Sequence, residues 1–268
     1  MQIVTQYPNG IFNWVDLSTT DIEGAKAFYR GIFGWEATDI PISSDMGGSY
    51  TNFSINGHGV AGGGQISPEM QANGMPTTWM SYVKHDDADA MAARITAAGG
   101  TLVMPPMDVM EEGRMLMAID PTGATFGVWQ PRRHIGAELV NIANTLVWNE
   151  LATRDAAAAK TFYNAVFGWA GEADAQGYTT FILNGRRHAG LMQMDSTWDP
   201  SIPANWTVYF AVDDLAQTVA KAQELGGKII MPATPAGEIG SFAIIQDPQG
   251  AVFSVIQMNG PGDPPPSA

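Results

Sequence analysis

The chain has no cysteine among its 268 residues, which excludes disulfide bonds, thiolate metal ligands and cysteine nucleophiles. It also has no apolar run of about 18 residues, so no membrane-spanning helix is expected. Basic residues are few, 13 Lys and Arg against 27 Asp and Glu, and the net charge is −14. Such an acidic surface repels nucleic-acid backbones and anionic lipid, so neither is expected as a partner. The N-terminus lacks the basic stretch and apolar core of a signal peptide, and we expect a cytoplasmic protein.

What the chain does contain is a long internal repeat. Residues 12–35 read FNWVDLSTTDIEGAKAFYRGIFGW, and residues 146–169 read LVWNELATRDAAAAKTFYNAVFGW. In each copy a β-favouring run precedes an Asp that can cap a helix, Asp21 or Asp155. Apolar residues then recur at spacings of three and four, the pattern of a helix with one buried face. Each copy therefore predicts a strand followed by a helix.

The rest of each half predicts the same elements in the same order. Asn-Gly pairs at 56–57 and 184–185 lie between β-rich runs and indicate hairpins. A second strand and helix follow, and the strands DPTGATFGVWQ and DPQGAVFSVIQ close the two halves. The pattern is four βαβββ modules, at about 11–70, 77–130, 145–195 and 203–257. We predict two domains, 1–131 and 142–258, a linker at 132–141 and a flexible tail at 259–268.

These motifs resemble the vicinal oxygen chelate superfamily, which includes glyoxalase I, bleomycin-resistance proteins, extradiol dioxygenases and methylmalonyl-CoA epimerases. The resemblance rests on the helix motif D-x-x-x-x-x-x-FY-x-x-x-FGW and the closing DPxGAxF strand, and it covers about residues 11–257. More narrowly, the chain is similar to tandem two-domain glyoxalase-like proteins of actinobacteria. The resemblance implies an α+β fold, in which four βαβββ modules form two glyoxalase-like domains with curled mixed sheets.

The resemblance also implies a divalent metal in the cup, the concave face of each curled sheet. Its ligands would be His or Gln in first strands and Glu in last strands. The corresponding positions in this chain, as far as the motifs fix them, are Trp14, Met80, Gly127, Trp148, Thr207 and Ser254. Because these side chains do not form a metal-binding set, we predict that the protein uses no metal and no other cofactor. A misread register stays open, in which a metal is bound by His58, His188, Asp16 and Glu150.

Alternation along the strands predicts what each cup contains instead, since residues two apart share a face. Asp16 and Glu150 are predicted to transfer protons, because a carboxylate enclosed by indole rings has a raised pKa. Tyr82 and Tyr209 are predicted to orient the ligand or stabilise developing charge. The predicted ligand-binding residues are Trp14, Trp129, Met80, Trp148, Thr207 and Ser254.

Structural roles stay open for the same residues. Each carboxylate could instead bond a linker amide or an arginine such as Arg132 or Arg133. The tryptophans could fill a cup that binds nothing, and the tyrosines could be ordinary core residues.

Three functions are therefore open at this point. The first is a metal-independent lyase or isomerase that acts on a small aromatic or apolar molecule. The second is a binding protein of the resistance type that sequesters such a molecule, and the third is a scaffold with filled cups. A metal-dependent lyase or isomerase replaces the first if the register is misread. The expected partner is a small molecule, and the chain is expected to be a monomer with an internal pseudo-dimer, or a homodimer.

Overall fold

The computed structural model describes residues 2–42 and 48–266, which form two open, mixed sheets of eight strands. The elements of the first half are β1 (Phe12–Thr19), α1 (Ile22–Phe33), β2 (Glu36–Pro41), β3 (Ser49–Ile55), β4 (His58–Gln65), α2 (Pro68–Ala72), β5 (Thr78–Lys84), α3 (Ala88–Ala97), β6 (Thr101–Val109), β7 (Gly113–Ile119) and β8 (Thr125–Pro131). Those of the second half are β9 (Leu146–Thr153), α4 (Ala156–Phe167), β10 (Ala170–Ala173), β11 (Thr179–Leu183), β12 (Arg186–Gln193), β13 (Asn205–Ala211), α5 (Leu215–Glu224), β14 (Lys228–Pro235), β15 (Gly240–Gln246) and β16 (Val252–Met258).

The two sheets have the same topology. The strand orders are β2-β3-β4-β1-β5-β8-β7-β6 and β10-β11-β12-β9-β13-β16-β15-β14. The first strand of each module pairs in parallel with its last strand, and two modules meet at an antiparallel pair, β1 with β5 or β9 with β13. The predicted fold of four βαβββ modules in two tandem domains is confirmed. The exact domain boundaries stay a prediction.

The local signals in the repeat act as expected. Asp21 caps α1 by accepting from the Gly24 amide at 2.9 Å, and Asp155 caps α4 in the same way. Both helices end at a glycine in the left-handed conformation. The Asn-Gly pairs at 56–57 and 184–185 have positive φ at both residues, as the predicted hairpin turns require.

The two halves share their hydrophobic cores. Buried residues of α1 cluster with those of β13, β15 and β16, and the residues of α4 cluster with those of β7 and β8. The Tyr29 hydroxyl donates to Asp247 of the other half at 2.9 Å, and Tyr163 donates to Asp120 at 2.9 Å. Ser81 in β5 donates to Asn149 in β9, so the central strands of the two sheets face each other.

The opposite face of each sheet is its cup. Val15 and Leu17 of β1 point into the shared core, which leaves Trp14 and Asp16 on the other face. We call the face of the first sheet that carries Trp14, Asp16 and Tyr82 cup A. The matching face of the second sheet, which carries Trp148, Glu150 and Tyr209, is cup B.

The segments outside the sheets are packed against them. In the predicted linker, Ala137 and Leu139 are fully buried, and the Ala137 amide donates to the carbonyl of Asn13 at 2.7 Å. In the predicted tail, the Asn259 amide donates to the Ile239 carbonyl. Flexibility of residues 259–268 stays a prediction, and it includes two residues outside the described part. No helix in the described part of the chain is long and apolar enough to cross a membrane.

Candidate functional site

Cup A is built around the carboxylate of Asp16. Strands β1 and β5 pair so that Trp14 lies opposite Tyr82, and Asp16 lies opposite Met80. The Tyr82 hydroxyl is 3.3 Å from Oδ2 of Asp16, and the Tyr50 hydroxyl of β3 is 3.4 Å from the same oxygen. The four side chains predicted for this place are thus neighbours, and Tyr50 joins them.

The hydrogen bonds around Asp16 run in one direction. The indole Nε1 of Trp14 donates to the hydroxyl oxygen of Tyr50 at 2.9 Å, and an indole N–H can only donate. The hydrogen of the Tyr50 hydroxyl is therefore left to bind Asp16. Oδ2 accepts from two tyrosines, whereas no side chain in the described part of the chain bonds Oδ1.

Burial shifts the pKa of the Asp16 carboxyl group. Desolvation raises the pKa of Asp16 to about 7, although the two tyrosine hydroxyls act in the opposite direction by stabilising the carboxylate. Burial and the nearby Asp16 charge raise the pKa values of Tyr50 and Tyr82 well above the usual value, so both remain donors. Asp16 is at the same time partly exposed to solvent.

The arginine expected as an alternative partner lies elsewhere. Arg132 pairs with Asp108 at 2.8 Å. Among the residues that the structure describes, no basic side chain forms an ion pair with Asp16 or Glu150.

Cup B repeats the same arrangement with different neighbours. Trp148 donates to the Tyr178 hydroxyl at 3.0 Å, and the Tyr209 hydroxyl donates to Oε1 of Glu150 at 3.0 Å. Desolvation raises the pKa of Glu150, and the Tyr178 and Tyr209 hydroxyls oppose this shift. Thr207 lies opposite Glu150, where cup A has Met80 opposite Asp16.

Glycines make room for the tyrosines in both cups. A side chain at Gly62 would overlap the Tyr50 hydroxyl, and one at Gly190 would overlap the Tyr178 hydroxyl. At the last-strand position of cup A, a side chain at Gly127 would overlap the ring of Tyr82. The ring of Tyr82 therefore occupies the space that a larger residue would fill.

The described residues do not assemble a metal site from the usual ligands. Within residues 2–42 and 48–266, no three His, Asp or Glu side chains lie together as a metal-binding group. His188 packs against Trp169 in the shared core, with ring centroids 4.6 Å apart, and His58 lies 3.8 Å from Glu138. The misread register, which requires His58, His188, Asp16 and Glu150 to converge, has no support here.

Two groups of cup residues were missing from the sequence-based prediction. Tyr50 and Tyr178 complete the hydrogen-bonded chains, and in each half a Tyr stands twelve residues before the glycine that accommodates it. The second group is a methionine wall in cup A. Core and cup residues alternate along β7, so Met115 and Met117 face the cup, and they pair with Met107 and Met104 of β6. Alternation in MLM of β7 was the available signal.

The cups also differ in how their first tryptophan is covered. The ring of His134, in the segment between the halves, lies 4.3 Å from the ring of Trp14 and 5.5 Å from that of Trp129. Trp14 is only 3% exposed, and Trp129 and Met80 are also buried. Trp148 is only half-buried.

The chain is similar to known proteins over most of its length. Residues 11–128 and 142–255 match the sequence model of the Glyoxalase/Bleomycin resistance protein/Dioxygenase superfamily. A Mycobacterium bovis protein provisionally named glyoxylase CFP32 is 41% identical over 257 residues, which cover 94% of this chain and 97% of that protein. The anthracycline biosynthesis protein DnrV of Streptomyces peucetius is 37% identical over 271 residues, with coverage of 95% and 96%.

A solved structure shares the fold. The Mn(II)-bound glyoxalase from Novosphingobium aromaticivorans superposes with a TM-score of 0.65 over 96% of this chain and 85% of that one. Its sequence is only 17% identical, so the likeness concerns the fold alone.

Proposed function

Because the chain belongs to the glyoxalase/bleomycin resistance protein/dioxygenase superfamily, whose members typically bind small molecules, we propose that it transfers protons on a small aromatic molecule bound in cup A, with Asp16 as the acid–base group and without a metal. The observation that carries this proposal is the carboxyl group of Asp16, whose pKa is about 7 and which two tyrosines hold by one oxygen. A group that titrates near the working pH is present in both its acid and its base form, which suits proton transfer.

The hydrogen-bond directions indicate which oxygen reacts. Tyr50 and Tyr82 both donate to Oδ2, so that oxygen is held as an acceptor. The proton exchanged with a ligand would then be carried on Oδ1. Trp14 stabilises this arrangement. Because its indole N–H donates to the Tyr50 hydroxyl oxygen, the hydrogen of that hydroxyl cannot point towards Trp14 and is directed to Asp16.

The walls of cup A favour a flat aromatic ligand. Trp14 and Trp129 supply indole rings behind the ring of His134, and methionines from β5, β6 and β7 supply polarisable sulfur that packs well on aromatic edges. The name of the Streptomyces peucetius relative refers to anthracycline biosynthesis. We therefore propose a polycyclic aromatic compound of the anthracycline type as the class of substrate.

The metal-free part of the proposal rests on the donor set. At the positions implied by the family resemblance, cup A offers Trp14, Met80 and Gly127, and the ring of Tyr82 fills the space over that glycine. A divalent metal requires several nitrogen, oxygen or sulfur ligands that converge, and Asp16 alone does not form such a set. The same proton-transfer role for Glu150 and Tyr209 stays a prediction, as do residence in the cytoplasm and a monomer with an internal pseudo-dimer.

The test measures proton transfer directly. Anthracycline-type compounds are first screened for binding, and bound compounds are then incubated with the protein in deuterium oxide and examined by mass spectrometry. We expect wild-type protein to replace a carbon-bound hydrogen of the ligand by deuterium, a label that survives return to ordinary water, whereas deuterium on hydroxyl groups is lost. The exchange rate should be half-maximal near pH 7, where Asp16 loses its proton. Asp16→Asn should bind the ligand and exchange at least about 100-fold more slowly, the usual contribution of a general acid or base.

Glu150→Gln is the matched control, because it makes the same chemical change in cup B. It should retain the exchange that takes place in cup A, and any part that it loses measures proton transfer by Glu150 in cup B. Exchange that survives in Asp16→Asn would contradict the assignment of the acid–base group. Tight binding with no exchange in the wild-type protein would identify a sequestering protein instead.

A further inference from the structure

Cup B presents aromatic rings that are open on one side. Trp148, Tyr178 and Phe242 are half-buried, and the ring of Tyr209 lies 5.9 Å from that of Phe242. Glu150 lies between the two tyrosines and accepts from Tyr209 at 3.0 Å. The rings and the carboxylate therefore lie together on the cup face of the second sheet.

The floor of this cup has acceptors without partners. Phe253 and Val255 of β16 are fully buried in the shared core, so Ser254 between them points into the cup. Its hydroxyl oxygen is buried and accepts no hydrogen bond in the described part of the chain, although the Tyr209 hydroxyl lies close enough to receive its hydrogen. Thr207 donates its hydrogen to Asn205 at 3.0 Å, which leaves the lone pairs of its oxygen free. A ligand that donates hydrogen bonds would satisfy both oxygens.

The charge at this place is also unmatched. No Lys, Arg or His in the described part of the chain forms an ion pair with Glu150. The faces of aromatic rings attract cations, most strongly for Trp. A carboxylate beside such rings therefore attracts a positive group from solution, and the net charge of −14 adds a general attraction for cations.

Cup A shares the unpaired carboxylate but lacks the half-buried first tryptophan and the polar floor. Trp14 is covered by His134, Met80 replaces Thr207, and Gly127 replaces Ser254. The two cups therefore offer different chemistry on the same scaffold, an apolar face in cup A and a polar, accessible one in cup B.

We propose that cup B is a separate binding site for a protonated amine attached to an apolar group, with the ammonium held by Glu150 and Ser254 and the apolar part against Trp148. This site goes beyond the proposed function, because it requires no catalysis in cup A. The ammonium would donate to Glu150 and to the Ser254 hydroxyl oxygen, which accepts no other hydrogen bond, while the rings stabilise its charge.

The test compares benzylamine with benzyl alcohol, which has a similar size and no charge. Both are titrated into ¹⁵N-labelled wild-type protein in 150 mM NaCl, and the indole N–H resonances of the tryptophans are followed by NMR. The Trp148 resonance is identified as the one that Trp148→Phe removes. We expect benzylamine to shift it saturably, to leave the Trp14 resonance in place, and to bind at least about tenfold more tightly than benzyl alcohol.

Two variants assign the charge. Glu150→Gln should weaken benzylamine binding at least about tenfold, whereas Asp16→Asn, the same change in cup A, should leave benzylamine binding unaltered. Equal binding of the alcohol, no saturable shift in wild-type protein, or equal weakening by both substitutions would overturn the proposal. If Glu150→Gln loses its dispersed spectrum and does not fold, the comparison of amine with alcohol in wild-type protein decides. Loss of proton exchange in cup A changes none of these outcomes.

Discussion

At the scale of single residues, the carboxylate of Asp16 in β1 has neighbours from its own strand and from β3 and β5. Trp14 and Asp16 share a face because they are two residues apart in β1, and that placement was predictable. Tyr50 reaches Asp16 only because β3 pairs with β4 and β4 pairs with β1. The contact between Tyr50 and Asp16 thus depends on the pairing of strands that are distant in sequence. It depends also on a register shift between β3 and β4 at Phe53 and Ser54. Local sequence patterns do not indicate this contact, apart from the recurrence of a Tyr and a Gly twelve residues apart in both halves.

His188 provides a test at this scale. It occupies the position in β12 that Val60 occupies in β4, is 8% exposed, and neither of its ring nitrogens has a partner within the described residues. Burial lowers its pKa to about 3. Below about pH 6.5, His188 therefore binds a proton in the unfolded chain but stays neutral in the folded protein. The free energy of unfolding consequently falls as the pH drops from 6.5 towards 3.

We expect His188→Val to remove this loss. At pH 5 the wild-type protein should lose about 2 kcal/mol more of its pH 8 stability than the variant, at about 1.4 kcal/mol per pH unit below 6.5. Urea unfolding at pH 8, 6.5 and 5 measures the free energy of unfolding for both. Val60→Ile, a change at the matching place without a titrating group, is the control. Parallel pH curves for the wild-type protein and His188→Val would show that His188 is not held neutral.

At the scale of elements, local signals predicted more, because caps and tight turns depend on a few adjacent residues. The helix starts at Asp21 and Asp155 and the two Asn-Gly turns are where the sequence places them. The methionine wall of cup A was not predicted. Alternation in β7 shows that Met115 and Met117 share a face, but which face that is depends on how β7 pairs with β8.

The cap of α4 gives a test of these local forces. Asp155 accepts from the Ala158 amide at 2.9 Å, and α4 has no acidic residue in its first turn, whereas α1 has Glu23. We expect Asp155→Ala to lower the free energy of unfolding by about 1 kcal/mol, and Asp155→Asn to retain most of it because Asn also caps helices. Chemical denaturation measures both. An unchanged stability in Asp155→Ala would mean that other contacts determine where α4 begins.

At the scale of the whole molecule, the repeat predicted two domains but not that they share cores. The apolar face of α1 is evident in the sequence, yet nothing local shows that it packs on strands of the other half. The helix contacts α5 of the other half. Its Tyr29 hydroxyl donates to Asp247 of the other half and accepts a hydrogen bond from the indole N–H of Trp79 in its own half. Tyr163 of α4 makes the equivalent two hydrogen bonds: it donates to Asp120 of the first half and accepts from Trp206 of its own half. The duplicated halves are therefore joined by reciprocal contacts, each half completing the core of the other.

This reciprocity predicts that neither half folds alone. In an isolated segment 1–141, Tyr29, Phe33 and Trp35 would lose the strands of the second half that cover them, and their apolar surface would be exposed to water. The partner segment, 142–268, would expose Tyr163 and leave Asp247 without its tyrosine donor. We expect each segment alone to give a poorly dispersed NMR spectrum or to aggregate, and the two segments produced together to give a soluble one-to-one complex with the spectrum of the intact chain. A dispersed, native-like spectrum from one segment alone would contradict this prediction and show that one sheet with its helices is sufficient to fold.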